Sequence, residues 1–170
     1  MVNLSNKERF LLEGEKYQQQ LAIDKYNDYA LQADDPGLKS LFSNLSKTEQ
    51  KHLNIIDEIL QGKIPNINKE KFHPYYENNL DDTTYHINLG NITLTPINTE
   101  SYHDGDKVIC FNALTTQELL HSTYSTSNME FNNKDLKNVL DFIINEKSES
   151  INYINEYMTK KGMHDNIIFF

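Results

Sequence analysis

Four Glu-x-x-His motifs stand out among residues able to do chemistry: Glu49/His52, Glu70/His73, Glu100/His103 and Glu118/His121. On a helix, positions i and i+3 project to the same side, so each motif offers a carboxylate and an imidazole to one point, as paired-metal four-helix bundles require. With 13 Glu and 6 His in 170 residues, only about half an occurrence is expected from composition. Spacing alone therefore selects none of them, and position must. His121 lies four residues after Gln117 and three before Tyr124, within about 60° on one helix face, whereas Glu118 is turned about 100° away. Glu49, His52 and His121 are the residues considered for a single Zn, Fe or Mn ion.

Other candidates read more plainly. Glu146 and Glu149 make an i, i+3 carboxylate pair, but the polar residues around Lys147 and Ser148 predict a solvated face. The lone Cys110 has no His and Asp partners spaced to activate it and reads as a small buried hydrophobe. His73, His86 and His103 are scattered in or beside a polar connector, where a surface metal is the only role they suggest.

The elements that must position these groups follow from periodicity. A chain of 170 residues with 38% hydrophobic content fits one domain with a real core. Its net charge of −9 and lack of basic clusters argue against nucleic acid. There is no Cys-x-x-Cys pair, amino-terminal apolar run or 18-residue apolar stretch, so no disulfide framework, signal peptide or membrane span is expected. Helical spacing of apolar residues predicts a first helix over 4–33 and a second from Pro36 to Leu60, divided by Asp34, Asp35 and Pro36 and ended by Gly62 and Pro65. Two further helices are expected over about 104–129 and 133–161, closing at Gly162. Between the pairs lies a polar connector, 63–101, whose "YHINLGNITLT" alternates around Gly-Asn as a short β-hairpin would. Its length suits a crossover joining two antiparallel pairs with the second and third helices parallel. The tail, 163–170, ends in "IIFF" and suggests docking on this chain or a partner subunit.

The two pairs are related to each other. A shift of 98 residues places Gln19 on Gln117, Leu21 on Leu119, Tyr26 on Tyr124, Leu38 on Leu136, Asn54 on Asn152 and Glu58 on Glu156, without a gap. Such self-similarity indicates a duplicated helical hairpin. An all-α, antiparallel four-helix bundle built from hairpins 4–62 and 104–162 is the expected fold.

The segments "QLAIDKYNDYALQADDPGLKSLFSNLSKTEQKHLNIIDEILQGK" and "CFNALTTQELLHSTYSTSNMEF…LKNVLDFIINEKSESINYINEYMTKKGM" resemble the ferritin-like superfamily, rubrerythrins distantly and clostridial spore coat proteins of the Coat F family more closely. In active members of that superfamily, the resemblance implies, each hairpin supplies a Glu seven residues before the Tyr and a Glu-x-x-His from its second helix, six ligands for two metals. The matching positions here are Gln19, Glu49 and His52, then Gln117, Lys147 and Ser150, so only Glu49 and His52 survive. An inward Lys147 is expected to put an ammonium where a cation belongs or to pair with Glu49, while Tyr26 and Tyr124 fill the core. The resemblance thus implies a non-enzymatic spore coat component, made in the cytoplasm, that holds no cofactor, self-associates and assembles with other coat proteins. The competing expectation is a metal-binding or weakly redox-active rubrerythrin-like protein using Glu49, His52 and His121. A stress-related small bundle without a spore role is a third.

Overall fold

The computed structural model describes residues 2–67 and 102–164. Four helices make up nearly all of it: α1 (Asn6–Gln32), α2 (Pro36–Leu60), α3 (Asp104–Glu130) and α4 (Lys134–Lys160). No strand occurs among the described residues. The connector's expected β-hairpin, the Glu70/His73 motif, Glu100, His86 and the "IIFF" tail lie outside them.

Each helix start has a local cause. Ser5 and Glu8 form a reciprocal capping box on α1, with the Glu8 amide donating to Ser5 Oγ and the Ser5 amide to Glu8 Oε2. Asp35 caps α2 by accepting from the Leu38 amide at 3.0 Å, with Pro36 in the first turn. Asn133 caps α4 through the Asp135 and Leu136 amides. His103 precedes α3 without a side-chain cap, and Asp104 and Asp106 complement the helix dipole there instead. Gly62 (φ 82°) and Gly162 (φ 67°) follow α2 and α4 in the left-handed conformation that lets a chain leave a helix without a Cβ penalty.

The 98-residue shift carries Asn6 to Asp104, Gln32 to Glu130 and Pro36 to Lys134, so three helix boundaries coincide. α1 packs on α2 and α3 on α4, as two hairpins, and α1 also packs on α3. Contacts between α1 and α3 pair Lys7 with Glu130, Lys25 with Thr116 and the Asp34 amide with Asp106, which makes the two antiparallel. α2 and α3 therefore run parallel, and a long crossover between them is obligatory. The core pairs equivalent residues from the two hairpins, among them Leu12/Cys110, Leu38/Leu136, Phe42/Leu140, Leu45/Ile143 and Ile56/Ile154, all fully buried. Each such Leu or Ile contributes about 1.5–3 kcal/mol by leaving water.

Two buried carboxylates tie the hairpins end to end. Asp106, on α3, accepts the amides of Asp34 and Asp35 in the α1–α2 turn at 2.8 and 3.1 Å. Glu8, on α1, accepts the amide of Asn132 in the α3–α4 turn at 3.4 Å. Glu8 and Asp106 are 98 residues apart, as are Asp34 and Asn132, so each hairpin closes the other's turn at an equivalent place.

Candidate functional site: a buried charged centre

At mid-height the apolar core gives way to a polar cluster fed by all four helices. α1 contributes Gln19, α2 Glu49 and His52, α3 Gln117 and Tyr124, and α4 Glu146 and Lys147. All are fully buried except Glu146, which is 6% exposed. These residues lie on the apolar rows of their helices, so the packing that buries Leu12, Ile56, Leu120 and Ile143 carries them inward too.

Glu49 is the hub. Lys147 Nζ donates to its Oε2 at 2.5 Å, Gln117 Nε2 donates to Oε1 at 2.6 Å, and Gln19 Nε2 donates both to Oε2 and to the Glu49 main-chain carbonyl. His52 stands on the far side, with Nδ1 3.1 Å from Glu49 Oε2 and 3.3 Å from Lys147 Nζ. Its Nε2 lies 2.7 Å from Glu146 Oε2, and a carboxylate there makes Nε2–H the donor. Nδ1 then accepts from Lys147 in the neutral ring or donates to Glu49 in the imidazolium. Tyr124 donates its hydroxyl to Gln19 Oε1 at 3.0 Å, fixing that amide so that its N–H groups face Glu49. Lys147 also lies over the Tyr124 ring, 5.3 Å from its centre.

Electrostatics follow from this arrangement. Burial alone would raise the Glu49 carboxyl, but the Lys147 ammonium and His52 outweigh it and hold Glu49 well below the usual carboxylate range. Burial lowers Lys147, and Glu49 restores only part of the loss. Burial and the nearby Glu49 charge push the Tyr26 hydroxyl well above its ordinary value, and burial with Glu15 and Glu49 does the same to Tyr124, so both act as neutral hydrogen-bonding groups. Burial likewise pushes the Cys110 thiol up to about 12, consistent with the inert hydrophobe expected of it.

The expected site residues are brought together unequally. Glu49 and His52 meet, with Gln19, Gln117 and Lys147 around them. Ser150 is buried beside the cluster, but its hydroxyl folds back onto the Glu146 carbonyl of its own helix at 2.9 Å. His121 is half-buried and takes part in none of the cluster's hydrogen bonds; its main-chain carbonyl accepts from Ser125. Glu118 is exposed. Among the described residues no group of three or more His, Cys, Asp or Glu side chains has the geometry to hold a metal ion.

Glu146 corrects the solvated-face reading. Glu149 is exposed, but Glu146 faces inward because it follows Ile143 by three residues and precedes Ser150 by four, on the row that α4 buries. Glu15 is a second inward carboxylate that the motifs did not flag. It lies four residues before Gln19, is 1% exposed, and has only the Ser127 hydroxyl near it, outside good hydrogen-bond geometry. Burial pushes its carboxyl up to about 7, only partly offset by Ser127 and by the more distant Lys147. Its place on the row Glu8, Leu12, Glu15, Gln19, Ala22 and Tyr26 was the available signal.

No curated protein and no solved structure matches the chain. No helix of the described residues is long and apolar enough to cross a membrane. Residues 105–167, from the first turn of α3 to beyond the end of α4, match the family model of the Coat F domain. The similarity covers the second hairpin alone.

Proposed function

We propose that this chain is a structural component of the bacterial spore coat, a ferritin-like bundle whose former di-metal centre has become a permanent internal salt bridge. The Coat F match in the second hairpin is the observation that carries the coat role. The centre supports the rest of the reading. The groups around Glu49 are donors, two amide N–H groups and an ammonium, where a paired-metal site needs additional carboxylates to offset its charge. Those residues do not fit a dinuclear metal, and Lys147 supplies the positive charge that a metal would have supplied. The cluster's near-complete burial also leaves it no contact with a substrate. The same reading places the protein among other coat proteins as its partners.

Two measurements test it. The protein should fractionate with purified spore coats and resist mild extraction, and a freely soluble pool throughout sporulation would overturn the assembly role. Elemental analysis after anaerobic purification with added iron, manganese or zinc should find well under one metal per chain. Stoichiometric metal lost on His52→Ala or His121→Ala would instead establish the site made of Glu49, His52 and His121.

A further inference from the structure

Large apolar side chains are exposed on only two of the four helices. Of nine among the described residues, four lie on α1 (Phe10, Tyr17, Leu21, Leu31), four on α3 (Val108, Phe111, Leu119, Met129) and one, Ile64, in the segment after α2. None lies on α2 or α4, whose outer faces are polar. Scattered surface hydrophobics are normal in a soluble protein, but segregation to one helix pair is not.

Six of the eight on α1 and α3 obey the duplication, while Tyr17 falls on Thr115 and Phe111 on Glu13. Phe10 corresponds to Val108, Leu21 to Leu119 and Leu31 to Met129 under the 98-residue shift. The antiparallel register set by Lys7–Glu130, Lys25–Thr116 and Asp34–Asp106 places Leu21 level with Leu119. The pseudo-two-fold axis of the bundle thus leaves the molecule at the Leu21/Leu119 pair, with Phe10 and Leu31 about a dozen residues to either side on α1 and their equivalents on α3.

We propose that this α1–α3 face docks a second copy of the chain. A surface that looks nearly the same after a half-turn meets its own copy with apolar positions opposite apolar ones, which is the requirement of an isologous contact. Its size is sufficient. Two helices of 27 residues, each about 40 Å long and about 10 Å across, present roughly 800 Å², the area each partner gives to a stable interface. Gly14 adds an independent sign. It is exposed in mid-helix between Phe10 and Tyr17, and a Cβ there would meet nothing within 4 Å. A helix-interior Gly costs about 1 kcal/mol relative to Ala, and nothing within this chain uses it, but the gap it leaves in the outer row admits close approach of a neighbouring helix.

This inference goes beyond the coat role and stands or falls apart from it, because a dimer that never reaches a spore would sink only the latter. Sedimentation velocity on the full chain should show a dimer at micromolar concentration. Leu119→Lys should weaken the dimer at least tenfold. Gly14→Glu, whose Cβ would meet nothing within 4 Å, should do the same while leaving circular dichroism unchanged and Tm no lower than that of the parent, since it also removes a helix-interior Gly, and so controls for misfolding of the first variant. A monomer at all concentrations overturns the proposal, whether the face is then taken by a different protein or by other residues of the same chain. A dimer indifferent to both substitutions also overturns it, by placing the interface elsewhere.

Discussion

The first hairpin brings Gln19, Glu49 and His52 to the middle of the bundle, and the second brings Gln117, Lys147 and Ser150 to the equivalent places. The amides are the same on both sides and do the same thing, each donating to Glu49. Position 49 and its equivalent 147 carry opposite charges and touch at 2.5 Å. The comparison separates what symmetry tolerates from what it does not. Apolar packing can be duplicated freely, since Leu opposite Ile is as good as Leu opposite Leu. A buried charge cannot, because two carboxylates meeting near an axis repel unless a cation or proton sits between them. A Lys facing that Glu removes the requirement.

The largest expected effect comes from undoing the exchange by half. Lys147→Met strands the Glu49 charge among donors too weak to replace an ammonium, at a cost of roughly 3–5 kcal/mol. At about 2–4 °C per kcal/mol for a chain of this size, thermal unfolding followed by circular dichroism at pH 7 should shift down by roughly 10–20 °C. Combining it with Glu49→Gln should recover at least half of the loss, because the charge goes while the partners of Gln19 and Gln117 remain. A double variant no better than Lys147→Met would mean that packing of the lysine stem, and not its charge, holds the centre.

Glu15 has an uncharged counterpart, Ala113, and gives the next effect. Its folded pKa, about 7, is raised above its unfolded value of about 4.3, so its favourable contribution is complete below pH ~4.3 and lost as pH rises through about 7. Glu15→Gln should therefore stabilise the protein by at most roughly 4 kcal/mol at pH 9, by the ~1.4 kcal/mol per pKa unit of linkage, and by almost nothing at pH 4. Equal shifts at both pH values would show that water already reaches the carboxylate. Glu49 has the opposite sign. Its folded pKa is depressed, so the stability it contributes is present above pH ~4.3 and lost as pH falls through its folded value, and denaturant titrations of a Glu49→Gln variant should be flatter across that acid range.

The end clamps give the smallest difference. Asp106→Asn removes an anionic acceptor shared by two backbone amides and should cost roughly 1–3 kcal/mol in urea unfolding. Glu8→Gln weakens one 3.4 Å contact and its own capping box and should cost about 1 kcal/mol. The reverse order would show that the two ends are not equivalent in the way their register implies.

Much of the scaffold was legible because its signals are local. Apolar periodicity, the Asp35-Pro36 step and the closing Gly62 and Gly162 announce the helices and their ends from neighbouring residues alone, while the Ser5/Glu8 box and the Asn133 cap went unread. The equivalence of the hairpins needed only the 98-residue shift. The centre was legible to the extent that matched positions pointed inward, and the expected Lys147–Glu49 pair is present. Glu15 and Glu146 were missed for a physical reason: a carboxylate on an otherwise apolar row reads as a margin residue, and only the facing helices decide that it is enclosed. His121 failed in the other direction. Its angle on α3 is right, but depth is set by what reaches in from α4, and there Lys147 lies over the Tyr124 ring.

The reciprocal clamps of Glu8 and Asp106 bear on how the molecule comes apart. The amides of Asp34, Asp35 and Asn132 donate these bonds to carboxylates of the opposite hairpin, so neither turn is complete until both hairpins have docked. Folding of one half is thus conditional on the other. Hydrogen exchange at these three amides should report separation of the halves as a single cooperative event, while fraying at the outer helix ends proceeds without it.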